Sequence, residues 1–542
     1  MMRILNQWVA ASDGTRLATT IYLPDGPGPF PVVATRSPYL ESGKIPVLSD
    51  WPDAGCAFVL QACRGTGASE GTLEPWMNEQ EDGRQLLRWV ADQPWCNGQI
   101  ALTGYSYCGT AALLAATSGH PALRAVEVGA CPCSDHNGPA HVNGVFPLRN
   151  NLQWTLEFWQ KRQPRNKQQT IDYDQILRHL PVSEMPSLVD QDAVPYWRDW
   201  LKPDTWKILD FAQYAPQFTV PALLHTGWYD VSQASTLAVF TVLKNHSNAQ
   251  VREGTRLIIG PWSHSSTAAP GSLAAETPLP DRKKYLEPIR REYLLEKLTG
   301  KPSEPHPAVT YFMYGANEWR TAPSWPPPET QQIPLFLHSD GLANSSRGHG
   351  ALSPDPPGGR ELPDTCIYDP GNPVPSCGGR AAIEGGGPQL QNDTEYCTDV
   401  LCYTTEPLTT PLELAGEVTL VLYAATSTLD TDYSVKLVDV HPDGSAWDLA
   451  DGVMRASYHD QQAGQSETPG QIRELHISLW SIACRLPPGH RLRLTVTFSD
   501  FPAYVRNLNT GAKDETGREY LLSRQDIFHD SRHPSHLLLP IR

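Results

Sequence analysis

Nowhere in its 542 residues does this chain carry an apolar run of 18, so nothing in it reads as a transmembrane helix. It opens Met1-Met2-Arg3-Ile4-Leu5-Asn6-Gln7 with no sustained apolar stretch, which reads as the lack of a signal peptide. Charge is sparse, 19% of residues, and basic charge is the scarcer sign. The 43 Lys and Arg against 59 Asp and Glu leave a net charge of −16, which argues against nucleic acid or an anionic membrane as a partner. The eleven cysteines are an odd number, and some sit in apolar contexts, as Cys56 and Cys63 do around Ala57-Phe58-Val59-Leu60. Free thiols in a reducing, cytoplasmic setting fit that better than a disulfide framework. Cofactor signatures are missing as well. Gly65-Thr66-Gly67 lacks the next glycine of a dinucleotide fingerprint and the lysine of a P-loop, and Cys131-Pro132-Cys133 with His136 matches no structural zinc spacing. No metal or cofactor is expected, and no tandem repeat is visible.

What is present points to a large core. Hydrophobic residues make up 40% of the chain, with 16 Trp and 50 Pro, and the length suggests about three domains. Up to about residue 140, strand patterns (Thr15 to Leu23, Pro31 to Thr35, Ala57 to Gln61, Ile100 to Gly104) alternate with helical ones such as Glu81 to Ala91, where Leu86, Leu87 and Val90 share a face. That alternation predicts a parallel, doubly wound sheet. From 145 to 215 the pattern turns helical, broken by Pro164, Pro181, Pro186 and Pro195 and rich in tryptophan. It reads as a helical cap inserted into a catalytic domain of residues 1–144 and 216–330, whose last helix is expected from Pro288 to Leu298. A Pro-rich stretch, Ala322 to Pro328, then precedes period-2 patterns such as Arg491 to Phe498 and Val418 to Ala424, which predict a β-sandwich over 331–542.

The chemistry starts at Gly104-Tyr105-Ser106-Tyr107-Cys108-Gly109, between the apolar run Gln99 to Thr103 and the small-residue helix pattern Thr110 to Ala116. Strand, sharp turn and helix with a serine at the apex form a nucleophile elbow, although Cys108 stands where the usual pattern has its second glycine. The apolar run Val220 to His225 leads into Gly227-Trp228-Tyr229-Asp230, and Arg256 to Gly260 leads into Pro261-Trp262-Ser263-His264. Taken singly, Asp230 reads as a turn former and His264 as a loop histidine. Taken together, the order Ser106, Asp230, His264, each just past a buried-type strand, reads as nucleophile, acid and base.

These segments, with Arg36-Ser37-Pro38-Tyr39, Cys63 to Gly71, Gln93 to Gly98, Asn317-Glu318-Trp319-Arg320, Tyr368-Asp369-Pro370, Asp432 to Gly444 and Arg506 to Gly511, resemble the cocaine esterase / glutaryl-cephalosporin acylase (CocE/NonD) family, which is related to X-prolyl dipeptidyl peptidases. The likeness spans nearly the whole chain and is weakest between about 140 and 215. It implies an α/β-hydrolase domain with a helical cap and a C-terminal jelly roll, a serine esterase working through an acyl-enzyme, and an oxyanion hole made of the Tyr107 N–H and the Tyr39 hydroxyl. On residues alone, Tyr39 reads rather as a ring packed beside Pro38 at a strand end. Most of the cap tryptophans are expected to pack, with one or two of Trp154 and Trp159 facing the substrate pocket.

A small-molecule ester or amide is the expected substrate, and a homodimer stays open. Asp230 is followed by Val231-Ser232-Gln233-Ala234-Ser235, with no carboxylate to pair with a substrate ammonium, which favours uncharged acyl groups unless the cap supplies an acid such as Glu157 or Asp172. Three other readings remain: an acylase or aminopeptidase of the X-prolyl type, an acyltransferase or cyclase using the same acyl-enzyme, and a binding protein on a dead hydrolase scaffold.

Overall fold

The computed structural model describes residues 3–40, 50–135, 137–163, 168–265, 279–301, 306–380, 386–462, 464, 468–511 and 516–542. Ten strands form the first sheet: β1 (Arg3–Ala10), β2 (Arg16–Leu23), β3 (Phe30–Ser37), β4 (Ala57–Ala62), β5 (Cys96–Tyr105), β6 (Leu123–Gly129), β7 (Ala222–Tyr229), β8 (Arg256–Ser263), β9 (Val309–Met313) and β10 (Glu318–Ala322). Their spatial order is β1-β2-β4-β3-β5-β6-β7-β8-β9-β10. From β4 across to β9 every neighbouring pair is parallel, while β1, β2 and β10 join antiparallel at the edges. The expected doubly wound sheet is therefore present. Strands β4 and β7 are buried at every position, because helices cover both faces and leave no reason for polar alternation.

Alternate residues of each strand serve the two faces. Val32 and Ala34 pack with Leu86 and Leu87 of helix α1 (Glu79–Ala91) and with Leu113 of α2 (Tyr107–Ala116), whereas Val33 packs on the far side with Leu294 and Leu298. Those two leucines belong to a helix that runs from Arg282 to Thr299, six residues longer at its start than the expected Pro288 to Leu298. Proline favours the first helical turn, which placed the predicted start at Pro288; Asp281 instead caps the helix by accepting from the Lys284 N–H, and Pro288 is carried inside it.

Between β6 and β7 lies the helical insertion. Its long helix α3 (Leu148–Lys161) is followed by short helices at Tyr173–Leu177 and Trp197–Trp200 and by several 3₁₀ turns, the form that a proline-broken pattern allows. Trp197 and Trp206 are buried, with indole N–H groups donating to the carbonyls of Val182 and Trp200, so these rings pack the insertion together as expected. We label the later helix Arg282–Thr299 α4.

The second sheet has eleven strands, beginning at Gln331. Its longest, Leu412–Thr426, pairs antiparallel with Arg473–Leu486, Ser523–Phe528 and His536–Ile541. The strands fold around one apolar core that includes Leu414, Leu420, Leu437, Leu475, Leu492 and Leu537, giving the predicted β-sandwich. Strand Arg473–Leu486 also abuts the first sheet: the Tyr314 N–H donates to the Ala483 carbonyl, and the Gln233 side chain, three residues after Asp230, exchanges hydrogen bonds with the backbone of Ser481. The sandwich thus braces the loop that carries the acid. No helix among the described residues is long and apolar enough to cross a membrane.

Candidate active site

Strands β5, β7 and β8 deliver Ser106, Asp230 and His264 to the same carboxyl edge of the parallel sheet, where open α/β sheets gather their functional groups. Ser106 sits at φ 58°, ψ −128°, a strained conformation for a residue with a side chain, and its N–H donates to the Gly129 carbonyl at 2.8 Å. The chain reverses there so tightly that a Cβ on Gly104 would lie 2.2 Å from the Cys108 carbonyl oxygen, which is why glycine stands at that position. Cys108, in place of the second glycine of the usual pattern, is among the residues that line the cavity described below.

His264 Nε2 lies 2.9 Å from Ser106 Oγ, and His264 Nδ1 lies 3.1 and 3.2 Å from the two oxygens of Asp230. Asp230 is 1% exposed. Burial pushes its carboxyl up, but His264, the Ser232 N–H at 2.8 Å and the Arg282 charge outweigh burial and hold it below the usual carboxylate range. An ionised acid therefore faces an imidazole that in turn faces a hydroxyl, the connectivity needed to move a proton off the serine.

Tyr39 and Tyr107 flank the serine. The Tyr39 ring meets Tyr107 and Phe158 edge-on, with centroids 6.4 and 6.0 Å away. Burial of its hydroxyl end pushes the phenol above its usual range, and the groups acting on it include the Trp154 and Ser106 side chains. As the first residue of α2, Tyr107 has an N–H with no acceptor inside the helix, pointing where an anion would be stabilised. One buried ion cluster braces both residues: Arg36, three before Tyr39, pairs with Glu79 and with Asp82 at 3.3 Å, and the Tyr107 hydroxyl donates to Glu79 at 2.9 Å. Sequence reasoning missed Glu79; its one signal was the arginine of the R-x-P-Y segment, which needs a buried counter-charge.

A cavity of about 1160 Å³ opens over these groups. Its wall includes Tyr39, Ser106, Cys108, His264, Trp76 and Trp154. Trp154 stacks on Trp76 at 5.9 Å and on Phe158 at 5.3 Å. Trp159, the other expected pocket residue, is not among the lining residues and packs into the apolar core of the insertion. The two tryptophans are five positions apart, so on one helix they point about 140° apart and only one can face the serine. Of the two acids considered in the cap, Glu157 lines the cavity, whereas Asp172 caps the short helix at Tyr173.

A sequence profile described as X-Pro dipeptidyl-peptidase (S15 family) matches residues 13–266, and one described as the X-Pro dipeptidyl-peptidase C-terminal non-catalytic domain matches residues 302–538. Cocaine esterase from Rhodococcus sp. is 32% identical, over 99% of this chain and 98% of its own. The chain belongs to the cocaine esterase family of serine hydrolases. Among solved structures, an aminopeptidase from a marine sediment Thaumarchaeota archaeon is 25% identical with a TM-score of 0.85, covering 100% of this chain and 96% of that one. An α-amino acid ester hydrolase at 23% identity and a TM-score of 0.84, covering 100% and 97%, shows the same fold.

One cluster among the described residues could hold a metal, and it lies away from the serine hydrolase site. Asp439, His441 and His490 gather where the hairpin turn after strand Asp432–Val440 meets the connection from Arg473–Leu486 to Arg491–Thr497, and there the carboxylate already accepts from His490 at 2.8 Å and from His441 at 3.1 Å. For the Cys131, Cys133 and His136 group, His136 lies outside the described residues, and both cysteines are buried free thiols.

Proposed function

We propose that this family member hydrolyses small carboxylic esters through a Ser106-His264-Asp230 triad and an acyl-enzyme. The hydrogen-bond chain from Asp230 through His264 to Ser106 Oγ, with the serine on a strained elbow, carries the proposal. His264 takes the Ser106 proton as Oγ attacks the ester carbonyl, and Asp230 stabilises the imidazolium that forms. The tetrahedral oxyanion receives hydrogen bonds from the Tyr107 N–H and the Tyr39 hydroxyl. His264 then protonates the leaving alcohol, and a water activated by the same imidazole releases the acid. The eleven free cysteines suit a cytoplasmic, reducing setting.

Ester cleavage is preferred over amide cleavage because cocaine esterase is similar along the full chain, and uncharged acyl groups are preferred because no carboxylate follows Asp230. A second reading, substrates bearing an ammonium group, is favoured by one observation: Glu157 from the cap lines the cavity, although Gln153 donates to it at 2.8 Å and Lys161 lies 3.9 Å away. Rapid quenching with an activated ester, followed by peptide mass analysis, tests the mechanism; an acyl adduct on Ser106 is expected. Partition of the acyl group between water and added alcohols or amines separates hydrolysis from acyl transfer. No adduct at any pH, or an adduct on another residue, removes the acyl-enzyme.

A further inference from the structure

Between the serine and its acid partner, the elbow residue Tyr105 makes contacts that the triad does not require. Its hydroxyl lies 3.2 Å from Asp230 Oδ2 and 2.9 Å from the backbone carbonyl of His264, so one side chain reaches both the acid and the base residue. Arg282, the first residue of α4, stacks its guanidinium over the Tyr105 ring at 4.2 Å. One nitrogen of that guanidinium donates both to the Tyr105 hydroxyl and, at 3.0 Å, to the His264 carbonyl. A cation at a helix N-terminus opposes the helix dipole, so the position gains nothing from its own helix and its contacts lie toward the sheet.

A phenol has one proton to give and here has two acceptors. Because Arg282 already satisfies the His264 carbonyl and also donates to the phenol oxygen, the phenol proton is directed to the ionised carboxylate, the stronger acceptor. Asp230 then receives three donors, the Ser232 N–H, the His264 Nδ1–H and the Tyr105 O–H, which fixes its carboxylate plane against the imidazole. The Tyr105 ring also stacks on His225 at 6.0 Å, whose own ring is bonded to buried Glu127 at 2.7 Å, and these contacts hold the phenol in place. We infer that Arg282 and Tyr105 form a positioning relay that clamps the Asp230 carboxylate and the His264 backbone in register with Ser106. This rests on the triad reading above.

The test is steady-state kinetics against pH for Tyr105→Phe and Arg282→Gln, with melting temperature as the control for folding. Each variant is expected to lose kcat by about tenfold, the worth of one hydrogen bond to a charged group, with KM within about twofold. In Tyr105→Phe the low-pH limb of kcat/KM should move up by about half a unit, because an acid that has lost one donor binds the protonated base more strongly. Arg282→Lys, which keeps the charge and a donor, should recover part of the loss, and the shift of the low-pH limb is the readout that bulk packing would not produce. Full kcat in both variants, or a fall in kcat with an unmoved low-pH limb, overturns the relay. If Tyr105→Phe does not fold, Arg282→Gln, which keeps the phenol, carries the same test. A fluorophosphonate probe distinguishes the two levels: a parent enzyme labelled at Ser106 whose variants behave as wild type removes the relay alone, whereas a parent unlabelled at Ser106 removes the triad and the relay together.

Discussion

Replacing Tyr39 by phenylalanine deletes one oxygen and leaves the ring, and the site offers a clear reason for that oxygen to matter only during reaction. The ring contacts with Tyr107 and Phe158 are edge-on apolar contacts that phenylalanine reproduces, so the melting temperature should not move. The hydroxyl is one of two donors proposed for the oxyanion, the Tyr107 N–H being the other. Losing one such donor typically lowers kcat by about 10²–10³, or about 2.7–4 kcal/mol. Because the charge forms after substrate binds, KM should stay within about twofold. Burial also holds the phenol above its usual range, so the donor keeps its proton and the parent enzyme should lose no activity through Tyr39 up to about pH 10. The assay is kcat and KM on a nitrophenyl ester from about pH 6 to 10. A Tyr39→Phe enzyme with kcat within threefold of the parent would mean that the ring merely packs and that oxyanion stabilisation comes from elsewhere.

The remaining predictions concern the pocket and the buried charges. Trp154→Ala should raise KM for aryl esters by about tenfold through loss of a stacking surface, while Trp159→Ala, away from the cavity, should leave KM within about twofold; the reverse result would place the substrate on the other face of α3. An uncharged aryl or short-chain ester should be favoured in kcat/KM over a phenylglycine ester and an X-Pro anilide. If an ammonium-bearing substrate wins by tenfold, about 1.4 kcal/mol, Glu157→Gln should abolish that advantage and spare the neutral ester. Burial pushes the Glu127 carboxyl up, but the Arg290 charge and the His225 hydrogen bond pull it down to about 2. Its folded value thus lies below the unfolded value of about 4.3, so its contribution to stability is complete above that pH and fades as pH falls toward 2. Glu127→Gln should lower stability by about 3–5 kcal/mol at neutral pH, with the gap to the parent narrowing below about pH 4 in thermal melts.

Much of the site was legible because its signals are local. The elbow is written in six consecutive residues, and Asp230 and His264 each end an apolar strand, so a period reading places both at one sheet edge. Tyr39 is different: nothing in Ser37-Pro38-Tyr39 separates a donor from a packed ring, and only the resemblance assigned it a role. The Trp154 and Trp159 pair shows a limit of composition, since helical phase decides which ring reaches the cavity and proline-broken sequence blurs that phase. The start of α4 was misplaced because Pro288 looks like a first-turn proline, while the true cap, Asp281, is an ordinary aspartate in sequence. Arg282 and Tyr105 are 177 positions apart, and the ion pair of Arg36 with Glu79 spans 43. Such contacts arise from the sheet order and leave no periodic trace.

The central claim is that Ser106 is the nucleophile, and covalent labelling tests it most directly. One equivalent of a fluorophosphonate should attach to Ser106 and to no other serine, with loss of activity in step. Ser106→Ala should take no label, keep the parent's melting temperature and lose about 10⁴-fold or more of its turnover, the remainder coming from the oxyanion hole. Label on a different residue, or turnover in Ser106→Ala close to that of the parent, would contradict the account.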